Sequence, residues 1–290
     1  PDLVICTYPV VAGVLARLRL KKMLAIPLVT VITDYAVHSQ WIHQGVDLYI
    51  AACDDVYQDL VARGVPADRI KVTGIPISHK FTVKLNRAET AAKLGLIPDK
   101  LTYLIMGGAY GVLKDFKKMI RTFAHLPVPC QVIVVCGRNK RLYRSLDNTI
   151  KNAPNPVVRF GFVRNIEELM TVSDAIITKA GGLIVSEALS KQLPLVIYKP
   201  IPGQEEQNAN FICKIGAGTA IYSLQDLNRI IKSLLVYPEK LEKMRLAAAH
   251  ALPGRAAEQA VRHIFELLEE RGDNSYPTSS AIFSNLSSRR

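Results

Sequence analysis

The sequence predicts an α/β protein made of two doubly wound units, each a parallel sheet covered by helices, and three observations carry that expectation. Short β-rich runs that are apolar on both faces alternate with helical stretches at intervals of roughly 15 to 30 residues, the pattern of strands buried under crossover helices. The chain has 290 residues of which 49% are hydrophobic, enough for two cores, and only 21% are charged, which excludes wholesale disorder. Two of the runs end directly in glycine turns, at Gly107 and at Gly181, the place where sheets of this kind bind ligands.

The first strand is expected at Leu3 to Cys6. Residue 1 is proline and the apolar run begins at once, so an N-terminal piece is expected to precede it. Strands at Leu28 to Thr33, Leu48 to Ala51 and Ile70 to Thr73 follow, making a partial N-terminal unit over residues 1–80. Between Gly74-Ile-Pro-Ile-Ser78 and Pro98-Asp-Lys100 the pattern lapses into a polar helix with Arg87, Glu89 and Lys93, closed by Gly95; residues 81–100 are read as a linker. The second unit, 101–271, has strands at Leu101 to Met106, Gln131 to Cys136, Val157 to Phe160, Ala175 to Thr178 and Leu195 to Tyr198. An amphipathic helix from Ala256 to Arg271 closes it. Residues 272–290 are Ser-rich and end in Arg289 and Arg290, which suits a disordered tail or a weak contact with acidic lipids.

Lys and Arg total 37 against 25 Asp and Glu, a net charge of +12, so an anionic partner is expected: a nucleotide, an anionic lipid surface or nucleic acid. Nucleic acid is set aside because no RNA-recognition, zinc or helix-turn-helix signature is present. No apolar run reaches the roughly 18 to 20 residues of a spanning helix, which points to a soluble or peripherally bound protein. Cys6, Cys53, Cys130, Cys136 and Cys213 show no Cys-x-x-Cys spacing and read as reduced core thiols of a cytoplasmic protein rather than metal ligands.

The segment richest in chemistry is Lys179-Ala-Gly-Gly182 running on to Glu187, followed after one strand by Lys199-Pro-Ile-Pro-Gly-Gln-Glu-Glu-Gln-Asn208. A bare glycine pair opening a helix leaves backbone N–H groups and the positive end of the helix dipole facing outward, which suits a pyrophosphate. Glu187, further along the same helix, suits a ribose diol, and Lys179 is either a counter-charge for a diphosphate or a solvated strand end. Gly107 and Gly108, before a helix carrying Lys114, Lys117 and Lys118, form a second phosphate loop or merely a tight turn. Phe162 either stacks on a pyrimidine, with the main chain of Val163 on the base edge, or packs in the core. The loop Thr33 to His43 gathers Asp34, His38, His43 and the sole tryptophan, Trp41. Proton transfer, a two-His-plus-Asp metal site and a structural loop all fit it, and Trp41 with His43 also suits an apolar chain entering from a membrane.

Together these segments, with Gly74-Ile-Pro-Ile77 and Val135-Cys-Gly-Arg-Asn139, resemble the diacylglycerol glycosyltransferase family, which spans bacterial processive diacylglycerol glucosyltransferases and monogalactosyldiacylglycerol synthases. The likeness runs from about Pro1 to Leu268. It implies a GT-B fold of two facing Rossmann-like domains, the N-terminal one truncated here, and transfer of glucose or galactose from UDP-glucose or UDP-galactose to diacylglycerol with inversion at the cytoplasmic membrane face. It further implies that Gly107, Gly108, Arg138, Phe162, Val163, Lys179, Gly181, Gly182, Glu187, Gln204, Glu205 and Asn208 bind the UDP-sugar. Asp34 and His38 would be catalytic, with the main base in a glycine loop upstream of Pro1, and Trp41 and His43 would meet the acceptor or membrane. No cofactor or metal is implied. Ala180 stands where family members usually have proline. Two alternatives stay open: a UDP-GlcNAc transferase acting on a polyprenyl-diphosphate cell-wall precursor, and a non-catalytic nucleotide-sugar binder.

Overall fold

The computed structural model describes residues 1–108 and 113–270; the turn residues Ala109 to Gly111 and the tail with Arg289 and Arg290 lie outside the described residues. The chain divides into two compact units, Pro1–Ser78 with the segment from Pro253 onward, and His79–Leu252.

In the first unit β1 (Val4–Cys6), β2 (Leu28–Val31), β3 (Leu48–Ala51) and β4 (Ile70–Val72) form one parallel sheet in chain order. Helix α1 (Pro9–Leu20) joins the first two strands and α2 (Asp54–Ala62) the last two. Proline at the first position of α1 suits a place where no intrahelical N–H is required. β2 and β3 are buried along their whole length, which explains their unbroken apolar runs.

The second unit starts earlier than the sequence suggests. Residues 81–100 are not a free linker: α3 (Arg87–Lys93) is capped by Asn86, whose side chain accepts from the Ala88 and Glu89 amides at 3.0 and 3.3 Å. Arg87 pairs with Asp174 at 2.8 Å and Lys93 with Glu168 at 2.7 Å, which anchors the segment in this unit. Its sheet contains β5 (Thr102–Met106), β6 (Gln131–Val135), β7 (Val157–Phe160), β8 (Ala175–Thr178), β9 (Leu195–Tyr198) and β10 (Gly218–Ile221), all parallel, in the order β10-β9-β8-β5-β6-β7. The helices are α4 (Phe116–Ala124), α5 (Lys140–Ser145), α6 (Asp147–Lys151), α7 (Ile166–Thr171), α8 (Gly182–Ser190), α9 (Gln204–Lys214), α10 (Leu224–Val236) and α11 (Pro238–His250). Asn139 caps α5 and Ser223 caps α10 by accepting backbone N–H bonds at 2.9 and 3.0 Å. One continuous core joins Tyr103, Ile105, Val132, Val134, Ile177 and Val196 of the strands to Phe116, Ile120 and Phe123 of α4 and Leu227 and Ile231 of α10.

β10 is absent from the sequence reading because Gly218-Thr-Ala-Ile221 lacks a strong apolar run. The glycine is there for space: a Cβ on Gly218 would lie 2.2 Å from the Leu195 carbonyl oxygen on the neighbouring strand. The C-terminal helix α12 (Ala256–Glu270) also departs from expectation, since it belongs to the first unit. Its Ala260 and Ile264 pack on Val29, Val31, Leu48 and Ile50, the face of the first sheet that its apolar stripe requires. Cys6, Cys130 and Cys136 are buried, and burial pushes the latter two thiols up to about 11; Cys213 is exposed, because its position on α9 faces water.

Candidate functional site

The second sheet reverses its winding between β5 and β8, so the strands leaving on either side of that point open a crevice at their carboxyl ends. Both glycine turns lie there. Gly107 and Gly108 follow β5, and Gly108 takes φ +77° with open space where a Cβ would stand. Lys179 to Gly181 follow β8, and Gly181 is the N-cap of α8 with no side chain capping it. The first intrahelical bond runs from the Val185 N–H to the Gly181 carbonyl (3.1 Å), so the amides of Gly182, Leu183 and Ile184 precede the hydrogen-bonded ladder. No acidic residue stands in that first turn, and an anion there meets the positive end of the helix.

Glu187 lies in the second turn of α8, half-buried, and its carboxylate makes no hydrogen bond or ion pair among the described residues. Burial, and secondarily the charge of Glu167 at the start of α7, push its carboxyl up to about 7. A desolvated carboxylate without donors is an unfilled acceptor, and hydroxyl groups would satisfy it. Glu167 itself is buried, 3.9 Å from the Lys80 ammonium and within electrostatic reach of Lys191.

Around this pair the remaining expected residues take distinct positions. Gln204 and Glu205 open α9 after Gly203, which adopts φ +100°. Glu205 accepts from the Ile201 N–H at 3.2 Å and lies 3.8 Å from the Lys179 ammonium, closing one side of the β8 turn. Asn208 is 1% exposed and donates to the Ala180 carbonyl at 2.9 Å, so it holds the glycine turn in place from behind. Replacing Asn208 with alanine is expected to lower the stability of this unit by about 1–3 kcal/mol, because a buried carbonyl loses its donor. Urea unfolding checks it; an unchanged midpoint would show that the amide holds nothing.

At the ends of β6 and β7 the guanidinium of Arg138 sits 5.0 Å from the centre of the Phe162 ring, a cation–π pair. Phe162 is 51% exposed, so the core-packing alternative for it is set aside, and Val163 beside it is half-buried. A cleft of about 740 Å³ lies at the opposite edge, lined by Arg87, Lys100, Asp174, Lys191 and Arg245. There the Asp174 carboxylate already occupies Arg87 and Arg245 (2.8 and 3.3 Å) and the Thr102 N–H (2.8 Å), which makes it a structural hub.

In the first unit the expected acceptor residues behave differently. Trp41 is 1% exposed, which corrects the expectation that it meets a membrane; its indole is part of the core. The His43 ring lies against Gly13, where a Cβ would come within 2.7 Å of it, and its Nε2 lies 2.8 Å from the Gln40 carbonyl oxygen. The Tyr49 hydroxyl bridges the His43 N–H and carbonyl at 2.9 Å each, which fixes the main chain there while the ring stays half-buried. His38 is exposed and accepts from the Gln40 N–H at 3.3 Å, whereas Asp34 is 8% exposed and engaged in the loop. Among the described residues no three His, Cys, Asp or Glu side chains gather as metal ligands. Much of the apolar surface the unit exposes is on and around α1, at Tyr8, Val10, Val14, Leu20 and Met23, beside Lys21 and Lys22.

Residues 1–77 match the family described as monogalactosyldiacylglycerol (MGDG) synthase, and residues 87–251 match glycosyl transferases group 1. The processive diacylglycerol beta-glucosyltransferase of Bacillus thuringiensis (strain Al Hakam) is 38% identical over 266 residues, covering 92% of this chain and 68% of that protein. The chain belongs to the diacylglycerol glycosyltransferase family. The namesake enzyme of Bacillus pumilus (strain SAFR-032) is also 38% identical, over 245 residues and 84% of this chain. The chain spans 63% of that relative's length. A crystal structure of Acinetobacter baumannii MurG superimposes with a TM-score of 0.66 at 19% identity, covering 93% of this chain and 73% of MurG, and shows the GT-B fold class. Sequence reasoning found the glycine turns and Glu187 but missed Glu167 as the neighbour that tunes Glu187, and missed Asp115 and Lys199, which are paired at 2.7 Å. Charge spacing along the chain carries no signal for either contact.

Proposed function

We propose that this chain carries the UDP-sugar site, and part of the acceptor machinery, of an enzyme that transfers glucose or galactose to the free hydroxyl of 1,2-diacylglycerol with inversion. The observation that carries the reading is Glu187: an unpaired, half-buried carboxyl on the helix whose uncapped glycine N-terminus opens at the topological switch point. In this reading the pyrimidine rests on Phe162 beside Arg138, with the Val163 main chain on its edge, and the ribose hydroxyls donate to Glu187. The diphosphate meets the amides of Gly182 to Ile184, flanked by Gly107, Gly108 and Lys179, while Gln204 and Glu205 contact the hexose. The chemistry follows from this placement. The diacylglycerol hydroxyl attacks the anomeric carbon from the face opposite the diphosphate, its proton passes to a general base, which Asp34 and His38 are proposed to assist, and the C1–O bond to UDP breaks. Fixed amides and the helix dipole stabilise the negative charge that develops on the leaving UDP.

Peripheral attachment to an anionic membrane surface fits the net charge of +12 and the apolar and basic surface of α1. No described helix is long and apolar enough to cross a membrane. Incubating the chain with diacylglycerol vesicles and either UDP-glucose or UDP-galactose is expected to yield β-hexosyl diacylglycerol. UDP binding without transfer from either donor would reduce the function to nucleotide-sugar binding.

A further inference from the structure

A cluster outside the expected site joins the end of β9 to the start of α4. Lys199, the residue after β9, pairs with the carboxylate of Asp115 at 2.7 Å, and the Tyr198 hydroxyl donates to the same carboxylate at 3.0 Å. Asp115 begins α4, the helix that follows β5. β8 lies between β9 and β5 in the sheet, so the cluster joins the carboxyl end of β9 to the helix that follows β5, the two strands on either side of β8.

Two features mark the cluster as more than an incidental ion pair. Asp115 and Lys199 both have left-handed backbones, φ +57° and +50°, a conformation that L-residues adopt rarely and that persists where the surroundings enforce it. Asp115 is also the N-cap of α4, where an aspartate normally accepts from the helix's own amides, yet its side chain makes no such bond. The carboxylate is turned away to Lys199 and Tyr198, and the first amides of α4 are left uncapped at the same edge as those of α8. The Lys199 ammonium, followed by the Tyr198 hydroxyl, holds the Asp115 carboxyl below the usual carboxylate range, so the pair is ionised at neutral pH.

We propose that Asp115, Lys199 and Tyr198 form a positioning clamp that ties the end of β9 to the start of α4 and thereby holds the uncapped first amides of α4 toward the diphosphate subsite. The clamp rests on the UDP-sugar reading above and names residues that act through others, not by touching the ligand.

The test compares UDP with uridine, which shares the base and ribose but has no phosphate, by calorimetry on the wild-type chain and on Asp115→Asn, Tyr198→Phe and Lys199→Met. Asparagine keeps the left-handed backbone comfortable while removing the charge, so folding is preserved. Asp115→Asn and Lys199→Met are each expected to weaken UDP about fivefold or more and to leave uridine within about twofold, with Tyr198→Phe giving a smaller UDP loss. Hydrogen exchange in the ligand-free Asp115→Asn chain should rise from Leu113 into α4. Equal losses for UDP and uridine, or UDP binding unchanged by Asp115→Asn, would overturn the clamp. A loss with Lys199→Met alone would also overturn it, by making Lys199 a direct ligand contact. Absence of UDP binding in the wild type would instead bring down the donor-site reading, and the diphosphate role of the clamp with it.

Discussion

Glu187→Ala is expected to weaken UDP binding by about 1–3 kcal/mol, roughly five- to 150-fold, because a carboxylate accepting from ribose hydroxyls makes charge-assisted bonds in a partly dry site. The size of the effect follows from the environment. Glu187 has no protein donor among the described residues, so any hydroxyl that reaches it fills an empty acceptor, and no existing bond must be broken first. Calorimetry that gives equal UDP affinity for wild type and variant would remove Glu187 from the site.

The same residue makes the binding depend on pH. Burial, then the Glu167 charge, put the folded carboxyl near 7 against 4.5 for an unperturbed glutamate, so at pH 6 most of the ligand-free protein holds it neutral. Binding of uridine, which has no phosphate to titrate, is expected to strengthen from about pH 6 to pH 8 as Glu187 ionises, and Glu187→Gln should flatten that profile. For folding the sign is opposite. A carboxyl raised in the folded state favours the protonated protein, so its stabilising contribution is fully present below about 4.5. It falls away as pH rises to about 7, a change of about 3 kcal/mol in the limit where the raised value holds. A site that is held ready in this form is slightly unfavourable for the empty protein and becomes favourable when a diol binds.

Asp174→Ala is expected to destabilise the second unit by about 2–3 kcal/mol while leaving UDP affinity at 25 °C unchanged. Asp174 accepts from Arg87 on α3, Arg245 on α11 and the Thr102 N–H at the start of β5, so one carboxylate joins three elements at the amino edge of the sheet. Both arginines are partly exposed and can hydrate when the carboxylate goes, which keeps the cost below that of a wholly buried pair. The Thr102 N–H loses its only charged partner. Chemical denaturation alongside calorimetry separates the two effects, and a drop in UDP affinity equal to that of Glu187→Ala would show that the two edges of the sheet are not independent.

Local features of the chain were legible in advance to the extent that they depend on neighbours in sequence. The nine strands read from apolar runs are all present, with ends that differ by at most two residues, because a strand buried on both faces needs a continuous apolar stretch whatever covers it. The first glycine turn was legible because a backbone with positive φ, that of Gly108, selects glycine, and the second because a glycine pair before an apolar run marks an uncapped helix start. Gly218-Thr-Ala-Ile221 escaped notice since its glycine answers to the Leu195 carbonyl on another strand, and that demand is invisible along the chain.

The site divides in the same way. Lys179, Gly181, Gly182 and Glu187 lie on one turn and one helix, so their spacing placed them together; the distances that unite Arg138 with Phe162, or Asn208 with Ala180, are contacts between elements. Trp41 shows the limit most plainly: beside two histidines it suits an interface, and only the packing of the first unit decides that its indole is interior.

By itself the sequence determined the class of fold, the strands, the two glycine turns and the membership in a family of lipid glycosyltransferases. Tertiary structure decided that α12 returns to the first sheet, that residues 81–100 belong to the second unit, that the Trp41 indole is interior, and that Asp115 and Lys199 pair. The reason is physical: periodicity and backbone strain are properties of adjacent residues, whereas burial, ion pairing and the pKa of Glu187 depend on which distant surfaces cover one another.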